Sequence, residues 1–508
     1  MAPAESDSQE TDLAATAAAV GEVEPVDVLD TSAAGPAAVR GGALRVLAYG
    51  AGSLASAAAA ALLFRQLGVA DVGRYITAVS IVAIVGGISD LGLNALGLRD
   101  SAKLNDDGRA TLYANLLGLR LTLTVAGLAI ALGIVAVGYP PVMVAGVALA
   151  GAGLVAQTAG DNYGLMLQVR MRVGTLAGLE LLRQVLTAAG MAVLFLAGAG
   201  LLAFLSLSIP VGIVVLVLVA RLVRHDRSLR PRFSWAAWRP LLVRVLPYAA
   251  GIAAAILYFR VAIVMVSQLA DHHEEGLFGA SYRVIDFLTL VPGILAGTAL
   301  PIFARSAGND DDRFAYAIGK VFQVALIVGA GAALTIAIGA PFIMEVLGGS
   351  EFKEAAGVLS IQAIGLGATF VSIVWANGML SMALFRQILT VNLLALIGIV
   401  VLLAVLIPAD GAHGAAIATA CGEFCAALAC GAVVARRHPR VLSSLRIVPS
   451  VALALAIAAA TLAIPGLGAL VHSLIAGAVY LVVLALLRAY PQELDALVPR
   501  RLSRMRAG

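Results

Sequence analysis

The chain is a succession of apolar runs separated by short turns. Each run is about 20 residues long, which matches the length of helix that crosses a bilayer. Backbone groups in lipid must be hydrogen-bonded within the protein, so only helices or a closed barrel can span a membrane. A barrel requires alternating segments of about 10 residues, which are absent from this pattern. The sequence therefore predicts an all-α integral membrane protein.

The scarcity of charge supports this prediction. Charged residues are 13% of the chain and hydrophobic residues 61%, whereas soluble domains carry about 25% charged residues. Beyond the first 40 residues, no stretch is polar enough to form a soluble domain. The runs predict about fourteen transmembrane spans, at residues 43–63, 74–97, 112–137, 142–166, 176–197, 200–222, 245–267, 277–303, 318–339, 356–382, 389–407, 414–435, 447–464 and 468–487.

The N-terminal tail is acidic and is not a signal peptide. Residues 1–39 contain no Lys or Arg, whereas a signal peptide begins with basic residues followed by an apolar core. We expect a disordered cytosolic tail. The predicted domains are that tail at 1–40, an N-lobe of six helices at 43–222, a basic cytoplasmic linker at 223–244, a C-lobe of six helices at 245–435, two further helices at 447–487, and a basic cytoplasmic tail at 488–508.

The distribution of Lys and Arg predicts the orientation. Cytoplasmic loops of membrane proteins are enriched in these residues. With the N-terminus inside, only Arg65, Arg74 and Lys353 of the 34 basic residues fall in outer loops. An even number of spans then places both termini in the cytoplasm. The protein is expected in the cytoplasmic membrane.

An internal repeat suggests how the spans are arranged. Residues 45–52 read RVLAYGAG and residues 244–251 read RVLPYAAG, so six of the eight positions are identical. Six spans separate the two copies, which predicts two parallel lobes related by an axis along the membrane normal, as in transporters that bind substrate between repeats. Chance similarity between Ala-rich and Gly-rich spans is the alternative.

Charged residues within the spans mark candidate functional sites, because charge in the bilayer is costly and usually faces a cavity or a bundle interior. The first six spans contain Arg120, Asp161, Glu180 and Arg183 at similar depths in their inner half. Glu180 and Arg183 are three residues apart on one helix and can pair. This cluster either lines a cavity or forms a structural salt-bridge network that joins spans 3, 4 and 5.

The second set of spans contains Arg260, Arg283, Asp286 and Glu423. Arg260 and Arg283 lie at nearly matching depth, and two guanidinium groups suit a diphosphate. Alternatively, Asp286 and Glu423 neutralise both arginines.

Other residues carry weaker signals. Pro210, Pro292 and Pro301 interrupt predicted spans, because proline removes a backbone donor and kinks a helix; they are either hinges or static kinks. Cys421, Cys425 and Cys430 share one span and are interpreted as packing residues. The histidines form no metal-ligand pattern, and neither a nucleotide-binding loop nor a catalytic constellation is present. We therefore expect no catalytic residue, cofactor, metal or nucleic-acid partner.

Several segments resemble the Wzx-type polysaccharide flippases of the multidrug/oligosaccharidyl-lipid/polysaccharide exporter superfamily. They are FRQLGVADVGRY at 64–75, DLGL at 90–93, YFRV at 258–261, GLFGASYR at 276–283, and the region from APF at 340–342 to LGGSEFKEAAGVL at 347–359. The likeness covers roughly residues 43–440. Many relatives carry an acid two residues after the arginine of span 7, where this chain has Ala262, so no ion-coupling role is transferred to that position.

The resemblance implies transport of a polyprenyl-diphosphate-linked oligosaccharide from the inner to the outer leaflet, for cell-surface polysaccharide or lipopolysaccharide biosynthesis. It implies a lipid-linked oligosaccharide and membrane lipids as partners, and a polysaccharide polymerase or glycosyltransferases as candidate protein partners. A lipid II flippase is the nearest alternative. A multidrug cation antiporter would centre on Asp90, Asp161 or Glu423. A membrane glycosyltransferase or polymerase would require a large outer loop, and a structural scaffold would not require charges within the spans.

Overall fold

A computed structural model shows an all-helical chain; the described residues contain no strand. It describes residues 34–101, 104–169, 173–224, 230–295, 303 and 311–489, and most side chains from residue 55 onward. The chain divides into two units, Met1–Leu54 and Ala55–Gly508. Residues 1–33 and 490–508 of the predicted tails, Pro301 and the side chains of the first repeat copy lie outside the described residues. Residues 34–40, predicted as part of the disordered N-terminal tail, belong instead to the first helix.

The helices follow the apolar runs closely. Their bounds are α1 Ala34–Asp90, α2 Leu93–Ser101, α3 Asp106–Gly138, α4 Pro141–Val169, α5 Val173–Leu196, α6 Leu201–Ser206, α7 Ser208–Leu222, α8 Trp235–Leu269, α9 His272–Leu288, α10 Asp311–Gly348, α11 Ala355–Ser381, α12 Phe385–Arg437, α13 Val448–Ala459 and α14 Ala469–Leu486. Short 3-10 turns lie at Ser350–Phe352, Pro439–Ile447 and Ala460–Ala463, and residues 290–295 are also helical.

Among the described residues, twelve helical segments are long and apolar enough to cross a membrane. This confirms the all-α membrane fold predicted from the sequence. Two of the twelve, Ala55–Ser101 and Phe385–Arg437, are far longer than the roughly 20 residues that a bilayer requires. Each contains a break that coincides with a predicted turn between spans. The total of fourteen spans stays a prediction, as do the lobe boundaries.

The breaks occur where the backbone leaves the helical region. Gly68 has φ 70° and lies within α1; Gly411 has φ 50° and follows Asp410 within α12. Positive φ is readily adopted by glycine because it lacks a Cβ atom. Leu91 and Gly92, with φ 44° and 77°, separate α1 from α2. The predicted span 74–97 is therefore divided near its inner end.

Two prolines interrupt the hydrogen bonding of predicted spans, although the backbone keeps right-handed helical angles at Leu207 and Thr289. Helix α6 ends at Ser206, four residues before Pro210, and α9 ends at Leu288, four residues before Pro292. A proline ring clashes with the carbonyl group four residues earlier and cannot donate to it. The positions of both breaks therefore follow from the chemistry of proline.

The two halves of the chain, residues 55–222 and 245–435, touch closely at the end predicted to face outward. A Cβ atom on Gly73 would lie 2.8 Å from the Gly276 backbone nitrogen, and one on Gly276 would lie 2.2 Å from the Val69 carbonyl oxygen. Beside this crossing, the Thr77 hydroxyl donates a hydrogen bond of 2.6 Å to buried Glu275. We call this contact the outer seal.

Further contacts between the halves surround the outer seal. Arg65 donates to the Val346 carbonyl oxygen at 2.8 Å. The ring of Phe64 stacks on that of Phe352 with centroids 5.4 Å apart. The hydroxyl groups of Tyr139 and Ser267 are 2.8 Å apart. Polar and aromatic contacts therefore reinforce the glycine crossing.

The two C-terminal helices pack on the second half. Tyr480 of α14 donates to the Ile327 carbonyl oxygen at 2.9 Å, and Ser473 donates to that of Thr335 at 2.8 Å. Both acceptors belong to α10. Helix α14 is thus attached to α10 by hydrogen bonds as well as by apolar contact.

The outer seal yields a test of the packing. We expect Gly276→Ala to lower the melting temperature of the purified protein, because its Cβ atom overlaps the Val69 carbonyl oxygen and overpacking costs about 1–3 kcal/mol. Gly398→Ala is the matched control, since nothing lies within 4 Å of that position. Alanine favours helix over glycine by about 1 kcal/mol, so the control should melt at the same temperature or higher. Equal melting temperatures for the two variants would contradict the packing described.

Candidate functional site

A cavity lies mainly within the second half of the chain. Its volume is about 410 Å³, within the range of roughly 300–1,000 Å³ typical of small-molecule sites. We call it the second-half cavity. Its polar and aromatic lining is supplied by α8, α9, α11 and α12, through Tyr258, Phe259, Arg260, Tyr282, Asp286, Thr289, Gln362, Thr369, Thr419 and Glu423. Ala83 of α1 also lines the cavity, which therefore reaches the first half of the chain.

Asp286 connects the two arginines that the sequence singled out. The Arg260 guanidinium donates to both oxygens of the Asp286 carboxylate, at 3.1 and 3.3 Å. Arg283, one turn away on α9, approaches the same carboxylate at 3.8 Å. The Asp286 carboxylate thus contacts two guanidinium groups, and its contact with Arg283 is the longer of the two. Asp286 therefore contacts both arginines, as in the alternative interpretation of the sequence.

Glu423 has a different partner. Its carboxylate accepts a hydrogen bond of 2.9 Å from the Thr369 hydroxyl, in the second-half cavity. Arg260, Asp286 and Glu423 give this cavity one basic and two acidic side chains. It is therefore poor in positive charge, which does not favour binding of a diphosphate there.

Gln362 is a buried polar side chain of the second-half cavity without a hydrogen-bond partner. It is 4% exposed, and both of its amide atoms lack a partner among the described residues. The Tyr258 hydroxyl, by contrast, interacts with the Glu423 carboxylate. Sequence reasoning missed Gln362, because an uncharged Gln in an apolar span gives little signal until its neighbours are known.

A second cavity lies where the two halves meet. Its volume is about 110 Å³, and its lining includes Arg183 and Gln184 of α5, Tyr75 of α1 and Arg283 of α9. We call it the central cavity. Arg183 and Tyr75 also line a neighbouring cavity of about 160 Å³ on the first-half side. The central cavity therefore brings together one arginine from each half.

Carboxylates on the first half hold Arg183 in place. Its NH2 group lies 3.1 Å from Asp161 of α4, and its Nε lies 3.6 Å from Glu180 of α5. A guanidinium group carries five N–H donors, so these contacts leave donors for a ligand. The predicted Glu180–Arg183 pairing is present, and it extends across helices to Asp161.

Arg120 lies apart from the cavities. It is 4% exposed; its guanidinium contacts Asp90 at 3.2 Å and donates to Asn94 at 2.9 Å. The direct ion pairs of the predicted first-half cluster form two sets, one joining α4 to α5 and the other joining α3 to the end of α1. Asp161 of the first set also lies close enough to interact electrostatically with Arg120. Asp90 was considered only as an antiporter acid, because its turn at Leu91 and Gly92 was not foreseen.

Comparison with known proteins identifies the family. The sequence profile of a polysaccharide biosynthesis protein family matches residues 62–356, which is more than half of the chain. The chain belongs to this family. The finding confirms the sequence resemblance to polysaccharide flippases. No curated protein matches the chain at a significant level.

Solved structures share the fold of this family member. The lipid II flippase MurJ, in an inward closed conformation, matches with a TM-score of 0.69 at 12% identity, over 90% of this chain and 100% of that chain. An inward-facing multidrug resistance MATE family transporter of the MOP superfamily matches with a TM-score of 0.63 at 14% identity, over 78% of this chain and 95% of that one. A MOP superfamily transporter from Pyrococcus furiosus matches with a TM-score of 0.54 at 15% identity, over 78% and 96%.

Within the described residues, no group of three or more His, Cys, Asp and Glu side chains is placed to hold a metal ion. Of the cysteines, Cys430 is buried, while Cys421 and Cys425 are exposed; all three are free thiols. The charged residues within the helices are the functional candidates of this protein. Some of them form a buried structural pair, and others line the cavities.

The Arg120–Asp90 pair gives a prediction that separates these two roles. Removing one partner of a buried ion pair leaves an uncompensated charge and costs about 3–5 kcal/mol. We expect Arg120→Gln and Asp90→Asn each to reduce membrane abundance and melting temperature, and the double variant to recover part of the loss.

Lys353→Gln is the control for this pair, because Lys353 and its partner Glu345 are both 58% exposed and surface pairs contribute little. It should change the melting temperature only slightly. Losses in the Arg120 and Asp90 variants that simply add in the double variant would rule out a structural ion pair.

Proposed function

We propose that this protein is a flippase that moves a polyprenyl-diphosphate-linked oligosaccharide from the inner to the outer leaflet of the cytoplasmic membrane. The observation that carries the proposal is the central cavity, where Arg183 of the first half and Arg283 of the second half line one space. Guanidinium groups bind phosphate oxygens through paired N–H donors. The diphosphate of the cargo is the group that two such arginines suit.

This assignment changes the pair of arginines that the sequence suggested. Arg260 bonds Asp286 through both carboxylate oxygens and lines the acidic second-half cavity. Arg283 is the more exposed of the two, 40% against 24% for Arg260. Arg283 therefore pairs with Arg183 as the diphosphate site, while the Arg260–Asp286 contact orients the carboxylate that approaches Arg283.

The outer seal supports transport by alternating access. With Gly73 and Gly276 in contact, the cargo head enters from the cytoplasmic side while the polyprenyl tail stays in lipid. Opening requires the two halves to part at the outer seal, and the breaks before Pro210 and Pro292 are hinge candidates for that motion. No covalent bond of the cargo is made or broken. A polymerase or glycosyltransferases are candidate partners that consume or supply the glycan.

The membrane potential is a sufficient energy source in principle. Moving one charge through it is worth about 2.3 kcal/mol per 100 mV. The chain is oriented with both termini in the cytoplasm, in accordance with the distribution of its Lys and Arg residues.

The polysaccharide biosynthesis family favours an oligosaccharide over lipid II as cargo. Both cargos carry a diphosphate, so the arginines suit either one. The ion pairs of the acidic residues argue against the function of a multidrug cation antiporter. Asp90 and Asp161, two of the three acids on which such a transporter would centre, are bound to Arg120 and Arg183.

The orientation leads to a topology prediction. Alkaline phosphatase fused to the chain truncated after residue 40, 232, 440 or 500 should be inactive, because the enzyme requires export from the cytoplasm. A fusion after residue 272 should be active. Activity of the fusion at 232, beside the densest basic cluster, would overturn the orientation.

The diphosphate site leads to a transport prediction. In proteoliposomes supplied with a polyprenyl-diphosphate-linked oligosaccharide, Arg283→Ala and Arg183→Ala should each slow translocation about tenfold or more, since a charge-assisted hydrogen bond is worth about 1.5–3 kcal/mol. Arg→Lys should recover only part of the rate, because lysine retains the charge but lacks the planar fork.

Arg99→Ala is the matched control for reconstitution, since Arg99 is 67% exposed and does not line the central cavity. All variants are compared at equal reconstituted amounts and with melting temperatures measured. Wild-type translocation in well-folded Arg183→Ala and Arg283→Ala would remove these arginines from the mechanism.

A further inference from the structure

The second-half cavity contains polar groups that the proposed diphosphate site does not use. Gln362 presents an amide donor and an amide acceptor without a partner. The side chain is more than nine-tenths buried, and it lines the cavity. A buried polar group without a hydrogen bond is destabilising. The Gln362 amide is therefore arranged for a ligand that both donates and accepts hydrogen bonds.

The rest of the lining is suited to a carbohydrate. Thr369, Thr419 and Thr289 contribute hydroxyl groups, and Asp286 and Glu423 contribute acceptors. The rings of Tyr258, Phe259 and Tyr282 offer apolar surfaces beside them. A sugar ring has hydroxyl groups around its edge, each able to donate and to accept, and carbon-bound hydrogens on its faces. Such a ligand matches both parts of the lining at once.

The charges of the cavity restrict which sugar fits. Arg260 is bound by Asp286, and Glu423 adds a second carboxylate. A uronic acid or another anionic sugar would bring its charge close to these acids, and like charges repel more strongly when partly buried. A neutral sugar encounters no such repulsion.

The second-half cavity lies next to the central cavity, as expected if the head group of the cargo extends beyond its diphosphate. Asp286 contacts Arg260 in the second-half cavity and also Arg283 in the central cavity, so one side chain separates the two sites. We propose that the second-half cavity binds a neutral sugar residue of the cargo head group, with Gln362 as the residue that recognises its hydroxyl groups. This inference rests on the proposed flippase function.

Binding to the purified protein in nanodiscs tests the inference. The probes are polyprenyl diphosphate alone, the same lipid carrying a neutral disaccharide, and the same lipid carrying a uronic-acid disaccharide. For the wild type we expect the neutral disaccharide to tighten binding relative to the bare lipid, and the uronic acid not to do so. Gln362→Leu should weaken binding of the neutral glycolipid about three- to tenfold and leave binding of the bare lipid unchanged.

Folding and specificity have their own controls. Replacing an unpartnered buried amide by leucine should leave the melting temperature unchanged or raise it, whereas a structural role for Gln362 would lower it. Gln387→Leu makes the same substitution in the first turn of α12, outside the lining of the cavity, and should change no affinity.

The outcomes separate this inference from the function on which it rests. If the wild type binds bare and neutral glycolipids equally, or if Gln362→Leu weakens both equally, the sugar site is wrong while the diphosphate site stands. If the uronic-acid glycolipid binds as tightly as the neutral one, the selection for neutral sugars is wrong. If polyprenyl diphosphate itself does not bind, the proposed function fails and the inference fails with it.

Discussion

The contact between Gly73 and Gly276 is the constraint on which the arrangement of the two halves depends. Helices can approach this closely only where side chains are absent, as is common where membrane helices pack through small residues. The crossing places Thr77 within hydrogen-bond distance of Glu275 and brings α1 against α9. That approach in turn places Tyr75, Arg183 and Arg283 around one cavity. A contact between backbones thus determines where the charged residues meet.

The charges within the spans divide according to their burial and partners. Arg120 is almost fully enclosed by Asp90 and Asn94, and this arrangement is structural. Arg183 and Arg283 are each oriented by a carboxylate but remain partly exposed in a shared space. The second-half cavity has the opposite balance, with more acid than base. This difference between the two cavities separates a site for the diphosphate from a site for a neutral part of the head group.

Much of the fold could be predicted from the sequence because lipid permits few solutions. The apolar runs predicted the helices, and the turns near Gly68 and Gly411 were placed correctly. Pairings within one helix, such as Glu180 with Arg183, followed from helical spacing. Pairings between helices were harder to predict, because depth along a span does not specify which face of the helix carries a residue. The interaction of Arg120 with Asp161 was predicted, whereas its direct contact with Asp90, made possible by the turn at Leu91 and Gly92, was not. Gln362 had no sequence signal, since its importance lies in the hydrogen-bond partners that it lacks.

Alternating access requires the outer seal to be a reversible contact that opens for cargo. Double electron–electron resonance measures the distance between the two halves directly. The spin labels are placed at position 197 in the first half and position 351 in the second half, both exposed, after the three native cysteines are replaced. Without cargo, a single short distance is predicted. With the polyprenyl-diphosphate-linked oligosaccharide, a second and longer distance should appear, and Arg283→Ala should reduce its population. A single unchanged distance in protein that is translocating cargo would contradict the separation of the two halves at the outer seal.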